Sequence, residues 1–86
     1  MLNADIIKVI KDAVSNKSNP HTVTFHYVKA DGTEKMENNI GVYEIRDGKV
    51  WGDKGGEIRQ FALERIDNIR KDATTFQPRF PIKVGA

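Results

Sequence analysis

The spacing of apolar residues along the chain changes near residue 20. Four apolar residues within residues 3–16 recur at spacings of three and four, which is the period of one face of an α-helix. They are Ile6, Val9, Ile10 and Ala13. Asn3 is a favourable N-cap residue, and Leu2 is placed to pack against Ile7. The polar run before Pro20 competes with helical hydrogen bonds. We therefore predict an N-terminal helix over residues 3–16.

From Thr22 the period becomes two, with Val23, Phe25 and Tyr27 on one face of a predicted strand. Two Asp-Gly pairs, at residues 31–32 and 47–48, favour tight hairpin turns on either side of a long second strand. Gly41, in the middle of that strand, marks a bulge or bend where the sheet curls. The further strands are predicted at residues 34–46, 49–53, 58–61 and 67–71, with a 3₁₀ turn at 62–65 before the last.

These elements predict one mostly β (α+β) domain over residues 1–86. Five short antiparallel strands expose their edges unless the sheet closes, so residues 22–71 are expected to form a five-stranded small barrel with the helix across one opening. The tail, residues 74–86, is expected to be extended because of its prolines. Its aromatic residues Phe76 and Phe80 pack either on the barrel itself or on another protein.

Composition and charge indicate the cellular location and the kind of partner to expect for this domain. The 86 residues include no cysteine, and no segment has the pattern of a signal peptide or a membrane span, so a cytoplasmic location is expected. The net charge is only +2, but the segment from Arg59 onward contains six basic and three acidic side chains. That surplus permits an anionic partner without requiring one.

No constellation of catalytic residues is visible. The two histidines, His21 and His26, are spaced too poorly to bind one metal ion without distant carboxylates. There is no nucleophile-elbow serine and no Gly-rich phosphate loop at the start of a helix. We therefore predict no catalytic residues, no metal, no cofactor and no enzymatic activity.

Arg59 and Arg65 are the strongest candidate binding residues. Their guanidinium groups are suited to bidentate contacts with one phosphate, and Tyr27 or Trp51 offers a surface on which a base can stack. His26 is expected at the rim, within reach of a phosphate. The structural alternative is that both arginines pair with neighbouring carboxylates and only fix the last turn, and that Trp51 belongs to the core.

A family resemblance rests on the segment from Arg59 to Ile66, which reads Arg-Gln-Phe-Ala-Leu-Glu-Arg-Ile. This segment resembles the closing motif of the WYL domain family, Arg-x-Phe-x-Leu-Asp/Glu-Arg-Ile. Asn39-Ile40-Gly41-Val42 resembles the family's Pro-x-Gly-Leu segment, and Val50-Trp51-Gly52 stands where the Trp-Tyr-Leu triplet belongs. With Tyr27 in the first strand and Phe76 and Pro78 in the tail, the resemblance covers about residues 22–80.

The resemblance implies an SH3-like (Sm-like) barrel that acts as a sensor or regulatory module, often in bacterial transcription factors and defence-linked proteins. It implies ligand contacts by Arg59, Arg65 and Tyr27. Lys35 occupies the position at which the family has a basic residue, usually arginine. The predicted function is non-enzymatic recognition of single-stranded nucleic acid or a nucleotide-like ligand. The alternative is a small protein-interaction factor, such as an accessory or phage-encoded inhibitor of a host enzyme or regulator. A homodimer through a strand edge is compatible with either hypothesis.

Overall fold

The computed structural model describes residues 3–84, which form one helix and a five-stranded antiparallel sheet. Helix α1 comprises Asn3–Ala13, and a 3₁₀ turn at Leu63–Arg65 joins the last two strands. The strands are β1 (His21–Val28), β2 (Glu34–Arg46), β3 (Lys49–Lys54), β4 (Glu57–Ala62) and β5 (Ile66–Thr75). They lie in the order β4-β3-β2-β1-β5. The predicted fold class, a helix followed by a small five-stranded barrel-like domain, is confirmed.

The main errors of the prediction concern where elements end. Helix α1 stops at Ala13 rather than at residue 16, because the Oγ and backbone N–H of Ser15 donate to the carbonyl of Asp12 and turn the chain. The predicted contact of Leu2 lies outside the described residues. Strand β5 continues to Thr75, four residues beyond its predicted end. Pairing with β1 at His21↔Thr75 explains that extension.

The two Asp-Gly turns differ from each other. At the second, Asp47 and Gly48 have φ values of 53° and 72°, as a two-residue hairpin turn requires. At the first, only Gly32 has a positive φ, and Lys29 and Thr33 close a longer loop through a 2.8 Å hydrogen bond. The carboxylate of Asp31 accepts the backbone N–H of Thr33, which lowers the pKa of Asp31. The predicted hairpin is therefore present, but its tight turn spans residues 29–32, closed by a 2.9 Å hydrogen bond from the Gly32 N–H to the Lys29 carbonyl, and Asp31 lacks the predicted positive φ.

The sheet curls strongly enough that β4 faces β1, from which β3 and β2 separate it in the strand order. The ring of Phe61 on β4 lies 5.1 Å from that of Phe25 and 5.3 Å from that of Tyr27, both in edge-to-face geometry. The Tyr27 hydroxyl also accepts the backbone N–H of Ala62 at 3.0 Å. These contacts hold β4 and β1 together through the interior.

The sequence suggested a bend at Gly41, but the bends of the sheet lie at other residues. The pairing of β1 with β2 shifts between Val23 and Phe25, opposite a segment in which Asn39 has a φ of 54°. The pairing of β2 with β3 shifts between Val42 and Glu44. Gly41 itself pairs regularly with Asp53. Asparagine tolerates the left-handed conformation better than most residues, so it can occupy a bulge without glycine.

One hydrophobic core joins helix and sheet. Helix α1 packs against β5, β1 and the 3₁₀ turn, and its apolar face is buried as predicted, with only Val9 partly exposed. The buried apolar residues of the helix and the segment after it are Ile6, Ile10, Ala13 and Val14. Those of the sheet and the 3₁₀ turn include Val23, Phe25, Ile40, Val42, Val50, Phe61, Leu63, Ile66 and Ile69. With 11 residues, α1 is too short to span a bilayer, and residues 3–84 contain no other α-helix.

A buried polar cluster on the other face of β1 ties three strands together. The Asp72 carboxylate on β5 accepts the hydroxyls of Thr22 and Thr24 at 2.8 and 2.9 Å. Asn39 of β2 donates its side-chain amide to the same oxygen and its backbone N–H to Thr24. Both threonines are almost fully buried, so these bonds replace the water contacts they lose.

The C-terminal strap, residues 76–84, lies on its own barrel, which decides between the two alternatives for the tail. Phe76 and Phe80 pack edge-on against Tyr43, each with ring centroids 5.6 Å apart. Arg79 donates its backbone N–H to the Tyr43 hydroxyl and its side chain to Asp53 at 2.9 Å, which raises the pKa of Arg79. Val84 is buried in the main core.

Gly41 provides a test of how the strap is seated, because a Cβ at this position would lie 2.8 Å from the Phe76 ring. We expect Gly41→Ala to lower the free energy of unfolding by about 1–3 kcal/mol, as overpacking does. In a Phe76→Ala background the same change should cost at least ~1 kcal/mol less, because the clash is gone. Urea denaturation of the four proteins measures this coupling, and equal costs in both backgrounds would contradict the packing described.

Candidate anion-binding site

Four cationic side chains surround one depression at a mouth of the barrel. We call this cavity of about 170 Å³ the basic depression. Its lining comes from β1 and the turn after it, from β2, β3 and β4. The lining residues are Tyr27, Lys29, Lys35, Glu37, Lys54, Arg59, Gln60 and Phe61. Three of the predicted site residues, Tyr27, Lys35 and Arg59, are therefore brought together.

Strand register explains how these side chains meet. Lys35 lies directly opposite Tyr27 in the pairing of β2 with β1. Arg59 and Phe61 are two residues apart on β4 and so share a face of the strand. Phe61 is buried in the core, whereas Arg59 is exposed at the end of the same face. Arg59 thus occupies the barrel mouth.

A buried glutamate lies within the basic depression. The Glu37 side chain is only 5% exposed, and Lys54 Nζ lies 2.6 Å from its Oε1. Lys35 Nζ lies 3.9 Å from the other carboxylate oxygen and is far more exposed. The close contact with Glu37 raises the pKa of Lys54. The pKa of Lys35 is lowered by the adjacent Lys54, an effect that outweighs the opposite effect of Glu37. Lys54 therefore neutralises Glu37, and Lys35 remains at the surface beside it.

Arg59 also has an acidic neighbour. Its Nη2 donates to Glu57 Oε2 at 2.7 Å, and both side chains are more than half exposed. An ion pair this exposed contributes little stability, because water screens it. A phosphate can therefore replace Glu57 as the partner of Arg59 at small cost.

Arg65 lies in a different place. Its Nη1 donates to the carbonyl of Val28 at 3.4 Å, and it lines a second depression with Glu64, Ile66 and Asp67. Arg65 is the last residue of the 3₁₀ turn that follows β4, and it does not share a cavity with Arg59. The geometry gives no support to the expectation that the two guanidinium groups hold a single phosphate.

His26 and Trp51 also lie outside the basic depression. His26 Nε2 is 3.3 Å from Glu34, and the imidazole is about one-quarter exposed. Trp51 is partly exposed, with the Arg46 guanidinium 4.8 Å above its ring. Within residues 3–84, no three side chains of the kinds that bind metals come close enough to hold an ion.

Lys29, Lys54 and Gln60 were not singled out from the sequence. Lys54 had a usable signal, since it flanks the Gly55-Gly56 hairpin turn and therefore lies opposite Glu57, close to Arg59 in the register. Lys29 follows β1 directly, so its place beside Tyr27 depends on the loop geometry at residues 29–33. The burial of Glu37 had no signal, because it is a charged residue and its two sequence neighbours, Met36 and Asn38, are exposed.

Tyr27 shapes the floor of the basic depression more than it offers a free ring. Its ring packs edge-on against Phe25 and Phe61, and its hydroxyl accepts the N–H of Ala62. The side chain is nevertheless only half-buried, so one part of the ring faces the cavity. The site combines exposed cations, one buried carboxylate and an aromatic floor, which suits a phosphate ester better than a small metal cation.

Comparison with protein-family models, with curated proteins and with solved structures found no match to this chain. The resemblance to the WYL domain family therefore stays a prediction from the motif at residues 59–66. What the chain binds has to be argued from the geometry of the basic depression.

Proposed function

We propose that this chain is a non-enzymatic binding module that takes the phosphates of a single-stranded nucleic acid or a nucleotide into the basic depression. The observation that supports this proposal is the convergence of Lys29, Lys35, Lys54 and Arg59 on one cavity that contains a single carboxylate, Glu37. Phosphate binding by such a cluster draws on charge and on the release of counterions. The small overall net charge of +2 concentrates this binding at the depression rather than over the whole surface.

The cations of the site have different roles in this proposal. Lys54 stays with Glu37 and keeps that buried carboxylate from repelling an anion. Lys35 and Arg59 are about half exposed and make the direct contacts. Arg59 exchanges Glu57 for two phosphate oxygens, which its planar guanidinium group matches. The exposed part of Tyr27 contacts the sugar or base that follows the phosphate.

Fluorescence anisotropy with a labelled oligothymidylate of about 12 nucleotides tests this proposal. Replacing Lys35 and Arg59 together by alanine should weaken binding at least tenfold and reduce the slope of log affinity against log salt by about 1.4, or about 0.7 per lost phosphate contact. The matched control is Lys8→Ala with Lys17→Ala, which removes two exposed lysines elsewhere.

Arg65→Ala tests whether the second depression contributes to binding. This variant should bind the oligonucleotide with the affinity of the original protein. The proposal is wrong if the original protein does not bind the oligonucleotide, or if the Lys35/Arg59 variant keeps its affinity and salt slope. It is also wrong if the Lys8/Lys17 control loses as much affinity as the site variant.

Lys35 offers a second test, because its lowered pKa leaves a larger fraction of neutral amine at any pH below that pKa. At mildly alkaline pH we expect Lys35 to be acetylated roughly twofold or more faster than Lys54, whose pKa is raised. Lys54→Ala should slow Lys35, because Glu37 would then pair with Lys35 alone. Mass spectrometry of tryptic peptides gives both rates, and equal reactivity of the two lysines would contradict the charge arrangement of the site.

A further inference from the structure

The proposed function uses the Arg59 side chain of β4 but neither the backbone edge of this strand nor the apolar surface beside it. Strand β4 is one of the two edge strands of the sheet and pairs only with β3 among the described strands. Four of its residues in succession, Glu57 to Gln60, are exposed. Ala62 donates its N–H to Tyr27 instead of to β3. Because pairing alternates along an antiparallel strand, the N–H and C=O groups of Ile58 and Gln60 also point away from β3.

An apolar surface adjoins this edge. Ile58 is 42% exposed and Phe80 is 51% exposed, and together with Trp51 and Pro81 they line a groove of about 330 Å³. A strand edge that shows both unpaired backbone groups and a large apolar side chain readily adds another strand. Here the edge is short and carries charges, so the order of the charges selects which strand can add.

We propose that the strand that adds is β4 of a second copy of this chain. Glu57 and Arg59 are the sequence neighbours of Ile58. They share the face of β4 opposite to the Ile58 side chain and carry opposite charges. In an antiparallel pair with Ile58 opposite Ile58 of the second copy, each Glu57 lies opposite Arg59 of the other copy. The charge order of this strand is thus complementary to itself about Ile58, as a two-fold interface requires.

The neighbouring registers are less favourable. A pair centred on Arg59 places the two guanidinium groups opposite each other, and like charges across a pair destabilise a sheet. A pair centred on Gln60 sets Ile58 against Ala62 of the second copy, whose N–H is already donated to Tyr27. In the Ile58-centred pair the two Ile58 residues exchange backbone hydrogen bonds, and their side chains meet beside the apolar groove. This dimer leaves Lys29, Lys35 and Lys54 outside the pairing.

Charge reversal provides the test, with sedimentation equilibrium of nucleic-acid-free protein as the measurement. Glu57→Arg and Arg59→Glu each place like charges opposite one another in the homodimer, so each should weaken dimerisation at least tenfold. An equimolar mixture of the two variants should form a heterodimer, because arginines then face glutamates at both crossing points. The double variant, with both changes in one chain, should dimerise like the original protein.

Circular dichroism verifies that each variant is folded, and the exposure of both side chains makes loss of folding a minor effect. The proposal is overturned if the original protein stays monomeric up to millimolar concentration, if either single variant dimerises as well as the original, or if the mixture remains monomeric. It is equally overturned if another protein, rather than a second copy, protects the β4 amides from exchange.

Discussion

The contact of Tyr27 and Phe25 with Phe61 bends a five-stranded sheet until its fourth strand faces its first. Without it, β4 would lie at the far end of a ladder, with β2 and β3 between it and β1. The ring contacts supply apolar burial, and the bond from the Ala62 N–H to the Tyr27 hydroxyl fixes the height at which the strands meet. The basic depression exists because this contact brings β4 beside the start of β2.

Strand β4 serves two surfaces because its side chains alternate. Arg59 and Phe61 point to one side, where Phe61 fills the core and Arg59 lies at the mouth beside Lys35. Ile58 points to the other side, beside the groove that the C-terminal strap helps to line. The phosphate site and the proposed dimer interface therefore share one short strand, and Arg59 takes part in both. A substitution that alters one of these surfaces is therefore expected to alter binding at the other.

The sequence predicted the order and kind of the elements well, because periodicity and turn residues are local signals. Alternation of Val23, Phe25 and Tyr27 predicted strand β1. The Asp47-Gly48 pair predicted a tight hairpin turn, and both residues have a positive φ. The bulge at Asn39 was missed, because its left-handed conformation is supported by a bond from its N–H to Thr24, far away in sequence.

Site prediction was limited for the same reason. Tyr27, Lys35 and Arg59 converge as the register of β1, β2 and β4 requires, but Arg65, the last residue of the 3₁₀ turn, lines another depression. The cluster of Asp72 with Thr22 and Thr24 depends on the pairing of β1 with β5, and alternation alone shows neither its burial nor its bonds. The contact between Glu37 and Lys54 has no local signal, although the turn beside Lys54 does indicate that this lysine lies near Arg59.

Hydrogen exchange at the Ala62 amide tests the central claim, that β4 is held against β1 through Tyr27. Nuclear magnetic resonance should show this amide strongly protected in the original protein. In Tyr27→Phe its exchange should be at least tenfold faster, beyond any common change in the ladder amides of β3 and β4. If Ala62 exchanges at the same rate in both proteins, or is unprotected from the start, β4 is not held in this way.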